Sequence, residues 1–228
     1  MKILCMTPVW KRPDILKLFV QSFVRLKEYA DIDLLAVLSA DDPHYYKSMD
    51  ILPQDTYLAS HNNFPFGKKK NYGGKMAKMI EWDYLLELNS DSIVNPAIFE
   101  LYRPYMEKGV PFFGLNNLFV VDYFTKKSLF VPNYNTDMTF GSGQMLHREA
   151  YVCELWTDEL NDGLDTSKIS HLRKAGIEET IVDCGEVPMV VDIKTNTTIT
   201  HFIELAARAE KEVPYEYLTK HIGYDFIN

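Results

Sequence analysis

Cysteine is scarce in this chain: 228 residues include three, Cys5, Cys153 and Cys184, and no pair has a CxxC spacing. So few and scattered thiols exclude a disulfide framework and a cysteine-built zinc site, and they fit a reducing cytosol. Long apolar runs are missing too. The opening MKILCMTPVWKRPD has a four-residue apolar run before Thr7 and Pro8, shorter than the roughly 7–15 residues of a signal peptide. Nothing approaches the roughly 20 apolar residues that span a bilayer. A cytoplasmic protein without a transmembrane segment is expected, and the sequon-like Asn196-Thr197-Thr198 is read as chance. Glycine is absent from Thr7 to Pro13, which removes the GxGxxG fingerprint of a dinucleotide-dependent oxidoreductase. Positive charge is also short, with 24 Lys and Arg against 32 Asp and Glu and a net charge of -8. That balance disfavours a surface built to hold phosphate backbones. Repeats, low-complexity tracts and linkers are lacking as well.

What is present predicts one packed domain. Hydrophobic residues make up 46%, with 14 Tyr and 13 Phe, enough for a large core. Lys2 to Met6 reads as a strand, Pro13 opens a helix, and Asp33 to Ser39 reads as a buried parallel strand ending in Ala40-Asp41-Asp42-Pro43. After a Pro- and Asn-containing stretch, Lys70 to Trp82 has helical character, Tyr84 to Leu88 reads as a strand, and Asn95-Pro96 begins another helix. Between Pro111 and Pro132 two β-rich runs flank Thr125-Lys126-Lys127 as a hairpin that would edge the main sheet. Gly141-Ser142-Gly143 reads as a tight loop before a helix from Arg148, Asp165 to Ala175 as a helix closed by Gly176, and Ile181 to Asp183 and Val187 to Ile193 as late strands. These patterns predict a single-domain α/β fold of Rossmann-like type, with a mixed, mostly parallel sheet flanked by helices. A β-hairpin and a helical C-terminal segment complete it.

The loop after Leu88 is the most informative point, because ligands in open α/β sheets bind beyond the carboxyl ends of strands. Asp91 there suits Mg²⁺ or Mn²⁺, hard ions that bridge to phosphates; alternatively Asp91 or Ser92 caps the next helix. Asp165, behind Gly163, is either a cap or a general base for an acceptor hydroxyl. His201 is a metal ligand or a core histidine. Lys68-Lys69-Lys70 is a solvated face or, with Asn71 and Lys75, a diphosphate contact.

Taken in order, these elements resemble the nucleotide-sugar glycosyltransferases of the A-type fold, the family-2-like group, over roughly residues 2–203. Thr7-Pro8-Val9-Trp10-Lys11-Arg12-Pro13 is similar to that family's first loop, Asp41 or Asp42 to its acidic residue at base or ribose, and Asn71 and Lys75 to the polar residues of the helix before its metal motif. Trp82 to Asp91 resembles the strand carrying the family's Asp-x-Asp motif, with Asn89 in place of the first Asp. Phe140 to Leu146 resembles the acceptor-side loop, Gly163-Leu164-Asp165 the place of the catalytic aspartate, and Asp192-Ile193-Lys194 with His201 the later strand and histidine of the metal site.

The resemblance implies a metal-dependent glycosyltransferase, with residues 1–92 as the nucleotide-sugar-binding half, 93–203 as the acceptor and catalytic half and 204–228 as a C-terminal helical segment. Thr7, Pro8, Trp10, Arg12, Asp41, Asn71, Lys75, Asn89 and Ser90 would meet the donor, a UDP-sugar first among candidates. Asp91 and His201 would hold Mn²⁺ or Mg²⁺. Asp165 would act as base in an inverting displacement, with Asp158, Glu159 and Asp162 as alternative bases. Acceptor and oligomeric state stay open: a glycan, a lipid-linked sugar, a protein or a modified nucleic-acid base all remain. Two rivals stand beside this expectation, a sugar nucleotidyltransferase and a glycosyltransferase-like module that binds nucleotide or glycan without turnover.

Overall fold

The computed structural model describes residues 1–132, 138–151, 154–196, 198 and 201–227. Strand β1 (Ile3–Pro8) is buried along its whole length, as a parallel strand covered on both faces must be. It runs through Thr-Pro, two residues beyond the apolar run. Helix α1 (Pro13–Leu26) starts on its proline and turns Ile15, Leu16, Phe19, Phe23 and Leu26 inward. Strand β2 (Ile32–Ser39) pairs in parallel with β1, from Ile3 opposite Ile32 to Pro8 opposite Val37.

The next two elements were not legible in the sequence: α2 (Tyr45–Ile51) and β3 (Tyr57–His61), which pairs in parallel with β2. Helix α3 spans Phe66–Ala77, earlier at both ends than the expected Lys70 to Trp82. Its first-turn amides are taken by a distant segment: Phe66 N donates to Asn161 Oδ1, Gly67 N to Leu160 O and Lys68 N to Asp158 O. Its end is closed by the Trp82 indole, which folds back to donate to Ala77 O at 2.8 Å. Gly73 lets α3 lie close on the sheet, since a Cβ there would stand 2.6 Å from Val37 Cγ2, and Gly74 leaves room for the Tyr151 ring on another side.

Strand β4 (Tyr84–Glu87) pairs in parallel with β1. A short β5 (Ser92–Val94) follows the acidic loop and separates it from α4 (Ile98–Glu107), so neither Asp91 nor Ser92 caps that helix. Asn95 instead accepts the Ala97 amide at the helix entry. Then come β6 (Phe112–Leu115), β7 (Leu118–Asp122), β8 (Ser128–Val131) and β9 (Gln144–His147). The helix expected from Arg148 is only a 3-10 turn, Arg148–Ala150. The chain closes with α5 (Leu164–Lys174), β10 (Thr180–Val182), β11 (Val190–Lys194), α6 (Phe202–Ala206), β12 (Lys211–Val213) and α7 (Tyr215–Ile222). A strand thus interrupts the segment expected to be helical.

Among the described residues the main sheet runs β10-β6-β9-β4-β1-β2-β3, with β9 antiparallel to its neighbours β4 and β6. This mixed, mostly parallel sheet with flanking helices is the predicted class. The β7–β8 hairpin does not edge it. It belongs to a second sheet, β12-β8-β7-β11-β5. Both faces of the hairpin are apolar: Leu118, Val120, Leu129 and Val131 join the main core, while Phe119, Val121 and Phe130 pack with Leu218, Ile222 and Phe226. A main-sheet edge would leave one face uncovered, so a second layer is the lower-energy solution. No helix among the described residues is long and apolar enough to cross a membrane.

Candidate active site

The carboxyl ends of β1, β2 and β4 open on one rim of the main sheet. In the β1–α1 loop Lys11 and Arg12 both have left-handed backbone, φ 53° and 50°. Two consecutive non-glycine residues there carry strain that neighbours must offset. Asp42 supplies part of that support, accepting Lys11 N and His44 N on its two oxygens. Asp42 is therefore spent on the scaffold. Asp41 accepts Asn63 N at Oδ1 and stays exposed, so of the two it is the carboxylate open to solvent. Trp10 lies edge-on to Phe64 at 5.9 Å and under the Lys11 ammonium at 4.8 Å, partly open to solvent. Thr7 and Pro8 end β1 beneath this loop, with Thr7 Oγ1 buried and unpartnered.

Beneath the loop Lys69 is fully buried, donating to Val9 O at 2.7 Å, Ser39 Oγ at 2.5 Å and Asn63 Oδ1 at 3.2 Å. Burial pushes it down to about 7, against the pull of Asp41 and Asp42. It ties β1, β2 and the segment before α3 together.

Across the rim, Arg12 Nη1 meets Asp91 Oδ2 at 3.0 Å. Behind Asp91, buried Asp192 accepts Ser92 Oγ at 2.7 Å and Lys194 Nζ at 3.2 Å. Burial pushes Asp192 upward, Lys194 opposes this and Asp91 adds to it. Arg12 and Lys194 thus flank two neighbouring carboxylates, Asp91 and Asp192, each cation paired with one of them. Among the described residues no three His, Cys, Asp or Glu side chains assemble as a metal cage. His201 is exposed and enters α6 through its carbonyl, so it is not a core histidine, and no bond joins it to Asp91. Asp91 could offer a carboxylate oxygen to a dication whose other ligands come with a diphosphate, as Mg²⁺ is commonly held, though its Oδ2 already meets Arg12.

The Gly141-Ser142-Gly143 loop couples this rim to Asp165. Ser142 Oγ accepts Asn89 N at 3.2 Å and lies 2.7 Å from Ser92 Oγ; Gly143 N donates to Glu87 O at 2.7 Å. On its other side the loop lies against the Asp165 carboxylate: a Cβ at Gly141 would sit 2.2 Å from Asp165 Oδ1 and 2.4 Å from Oδ2. Helix α5 has no side-chain cap. Asp165 thus turns from its own helix toward the loop.

A buried charge cluster that the sequence reading missed stands beside Asp165. Glu87, 4% exposed, pairs with Lys70 on one oxygen and with Lys168 at 2.5 Å on the other. Lys70 and Lys168 also lie over the Trp156 ring, at 4.7 and 5.5 Å. Burial works to raise Glu87, but attraction from Lys168 and Lys70 prevails and lowers it; burial lowers Lys168. The signal was available: a glutamate inside Tyr84-Leu85-Leu86-Glu87-Leu88 needs a buried partner. The lysine run is then neither a solvated face nor a diphosphate patch, since only Lys68 is exposed.

The remaining expected residues are placed as follows. Asn89 and Ser90 are half-buried on the rim beside Asp91. Asn71 is buried and bonds Trp156 O, Trp156 N and Asp158 Oδ1, a scaffold role. Lys75 is exposed and pairs with Glu154 at 2.9 Å, about 9 Å along α3 from Lys69. Of the alternative bases, Asp158 is held by Asn71, and Asp162 is exposed in the loop before α5.

No protein-family model and no curated protein matches the chain. Its fold is similar to that of a protein assigned as a nucleotide-diphospho-sugar transferase from Desulfovibrio desulfuricans G20, with TM-score 0.51 and 13% identity over 85% of this chain and 81% of that one. It is also similar to S. aureus TarS residues 1–349 in complex with UDP-GlcNAc, with TM-score 0.55 and 11% identity over 87% of this chain and 60% of that one. TarS 1–349 in a second structure gives TM-score 0.51, 11% identity, 87% and 59%. The chain therefore spans about 60% of the TarS fragment, and at these identities the likeness is one of fold.

Proposed function

We propose that this protein transfers a sugar from a nucleotide-sugar to an acceptor hydroxyl, with the donor lying across the rim between Trp10, Asp41, Arg12 and the Asn89-Ser90-Asp91 loop. The observation that carries this reading is the Gly141–Gly143 loop, bonded to the donor-side Asn89 and Ser92 on one side and packed against the Asp165 carboxylate on the other. One loop sets a candidate donor site against a candidate base. Binding of UDP-GlcNAc by TarS, which shares the fold, supports a UDP-sugar as the first donor to try.

In the reaction, Asp165 takes the proton of the acceptor hydroxyl while that oxygen attacks the anomeric carbon. The bond from that carbon to the diphosphate oxygen breaks with its electron pair, giving inversion. Burial raises Asp165 from the ordinary carboxylate range, with the charge of Lys70 opposing, which makes it a stronger base than a surface aspartate. Arg12 places a fixed positive charge where the diphosphate departs. Mn²⁺ or Mg²⁺ held by Asp91 and the diphosphate would supply Lewis-acid stabilisation of the leaving group.

A second reading, a module that binds donor without turnover, is favoured by one specific observation: the motif's first carboxylate is Asn89 and its last is already paired with Arg12. Thermal stability measured against nucleoside diphosphates and nucleotide-sugars, with and without Mn²⁺, tests donor binding. Release of free nucleotide from a stabilising donor then separates the readings. Stabilisation with slow donor hydrolysis supports transfer; stabilisation without hydrolysis by any donor supports the binding module; no stabilisation by any nucleotide overturns both.

A further inference from the structure

Four charged groups meet behind the Gly141 loop, and they balance only as a set. Lys70 from α3 and Lys168 from α5 share the two oxygens of Glu87 on β4, and all three side chains are at least 95% buried. Glu87 offsets one of the two ammonium charges. Asp165 lies three residues before Lys168 on α5, so the two share a helix face. Lys70, Glu87 and Lys168 are the charged groups that act on Asp165 from α3, β4 and α5. Phe112 and Trp156 cover the lysines on the remaining side, each about as close to Lys168 as a cation–π contact requires. A lone ammonium in such surroundings is costly. An ionised Asp165 makes the count two positive and two negative.

We propose that Lys168 and Lys70, bridged by Glu87, are positioning residues for Asp165, holding its carboxylate ionised and turned to the Gly141 loop until an acceptor hydroxyl delivers its proton. The ionisation part stands on the cluster; the link to an acceptor rests on the glycosyl-transfer reading above. The proton moves from the acceptor oxygen to Asp165 as the new C–O bond forms, and leaves to water when product departs. Glu87 has the opposite effect to the lysines. Its charge keeps the pair of ammonium groups from making Asp165 too weak a base.

The two signs make the test. Lys168→Met removes a positive neighbour, so the acid limb of the pH profile for transfer or donor hydrolysis moves up, by about one pH unit or more. Lys70→Met moves it the same way and serves if Lys168→Met does not fold. Glu87→Gln moves the limb down and lowers the plateau, and Lys168→Arg retains the wild-type limb. A ¹³C-carboxylate titration, with the Asp165 signal assigned by its loss in Asp165→Asn, reads the same shifts without turnover. If wild-type protein shows no turnover but the carboxylate shifts appear with opposite signs, the transfer reading fails and the charge set stands. If the variants lose activity or stability while neither limb nor carboxylate moves, the cluster is structural and the proposal is overturned.

Discussion

Asp91 and Asp165 lie on two sides of the Gly141–Gly143 loop and are held in opposite ways. Asp91 is gripped by a single long, flexible arginine from a strained loop, with 10% of its side chain exposed. Asp165 lies against the Gly141 backbone and stands beside a buried lysine pair carried by α3 and α5. A group that must exchange its partner for an incoming ligand benefits from a partner on a long, adaptable side chain, which can swing aside when the ligand arrives. A proton acceptor benefits from immobile neighbours, because misplacement by about 1 Å costs on the order of 10²-fold in rate.

The largest expected effect breaks the Asp165 side alone. Asp165→Asn should lower transfer by about 10²–10⁴-fold while leaving the thermal shift given by donor in place; full turnover by that variant would remove Asp165 from the mechanism. Gly141→Ala comes next. Its methyl group would land on the Asp165 carboxylate, so transfer should fall on the order of 10²-fold with a folded protein and retained donor binding. Measuring kcat beside donor affinity separates this from general damage.

The opposite side is probed by Asp91→Asn. Any stabilisation that needs both Mn²⁺ and a nucleoside diphosphate should vanish, a loss of about 2.7 kcal/mol at ligand 100 times above Kd. An unchanged metal-dependent shift in that variant would place the cation elsewhere. The smallest effect concerns the scaffold shared by both sides. Lys69→Met should cost about 1–3 kcal/mol, measured by urea melts, because Val9 O and Asn63 lose a buried donor. The pH dependence has a definite sign. Lys69 titrates at about 7 in the fold against 10.5 ordinarily, so the burial cost is full below pH 7 and is relieved as pH rises toward 10.5. The advantage of wild type over Lys69→Met should therefore grow across that window.

Both sides differ again in how far the sequence revealed them. The rim with Thr7, Arg12, Asp41 and Asp91 follows strands whose continuous apolar runs end in polar loops, so β1, β2 and β4 were readable within two residues. Strands β3, β5 and β9 were not. Tyr57-Leu58-Ala59-Ser60-His61 is an outer strand with its first two residues exposed, and β5 has only three residues. Such segments become strands because a neighbour offers hydrogen bonds, which local pattern does not encode. The hairpin was legible as a hairpin, but its sheet was set by β11, which pairs in parallel with β7 from far along the chain.

By itself, the amino-acid order determined the α/β class, the first βαβ unit, the acidic loop after Leu88 and the candidate aspartate behind Gly163. Those rest on periodicity and turn chemistry, which act between residues close in the chain. Tertiary structure alone decided that Asn71 and Lys75 serve other partners, that Asp42 is scaffold while Asp41 is open, and that two lysines of a basic run are buried. A charge's role depends on which opposite charge reaches it and how much water remains. Glu87 and Lys168 stand 81 positions apart in the chain, and only the packing of α3 and α5 on β4 brings them together.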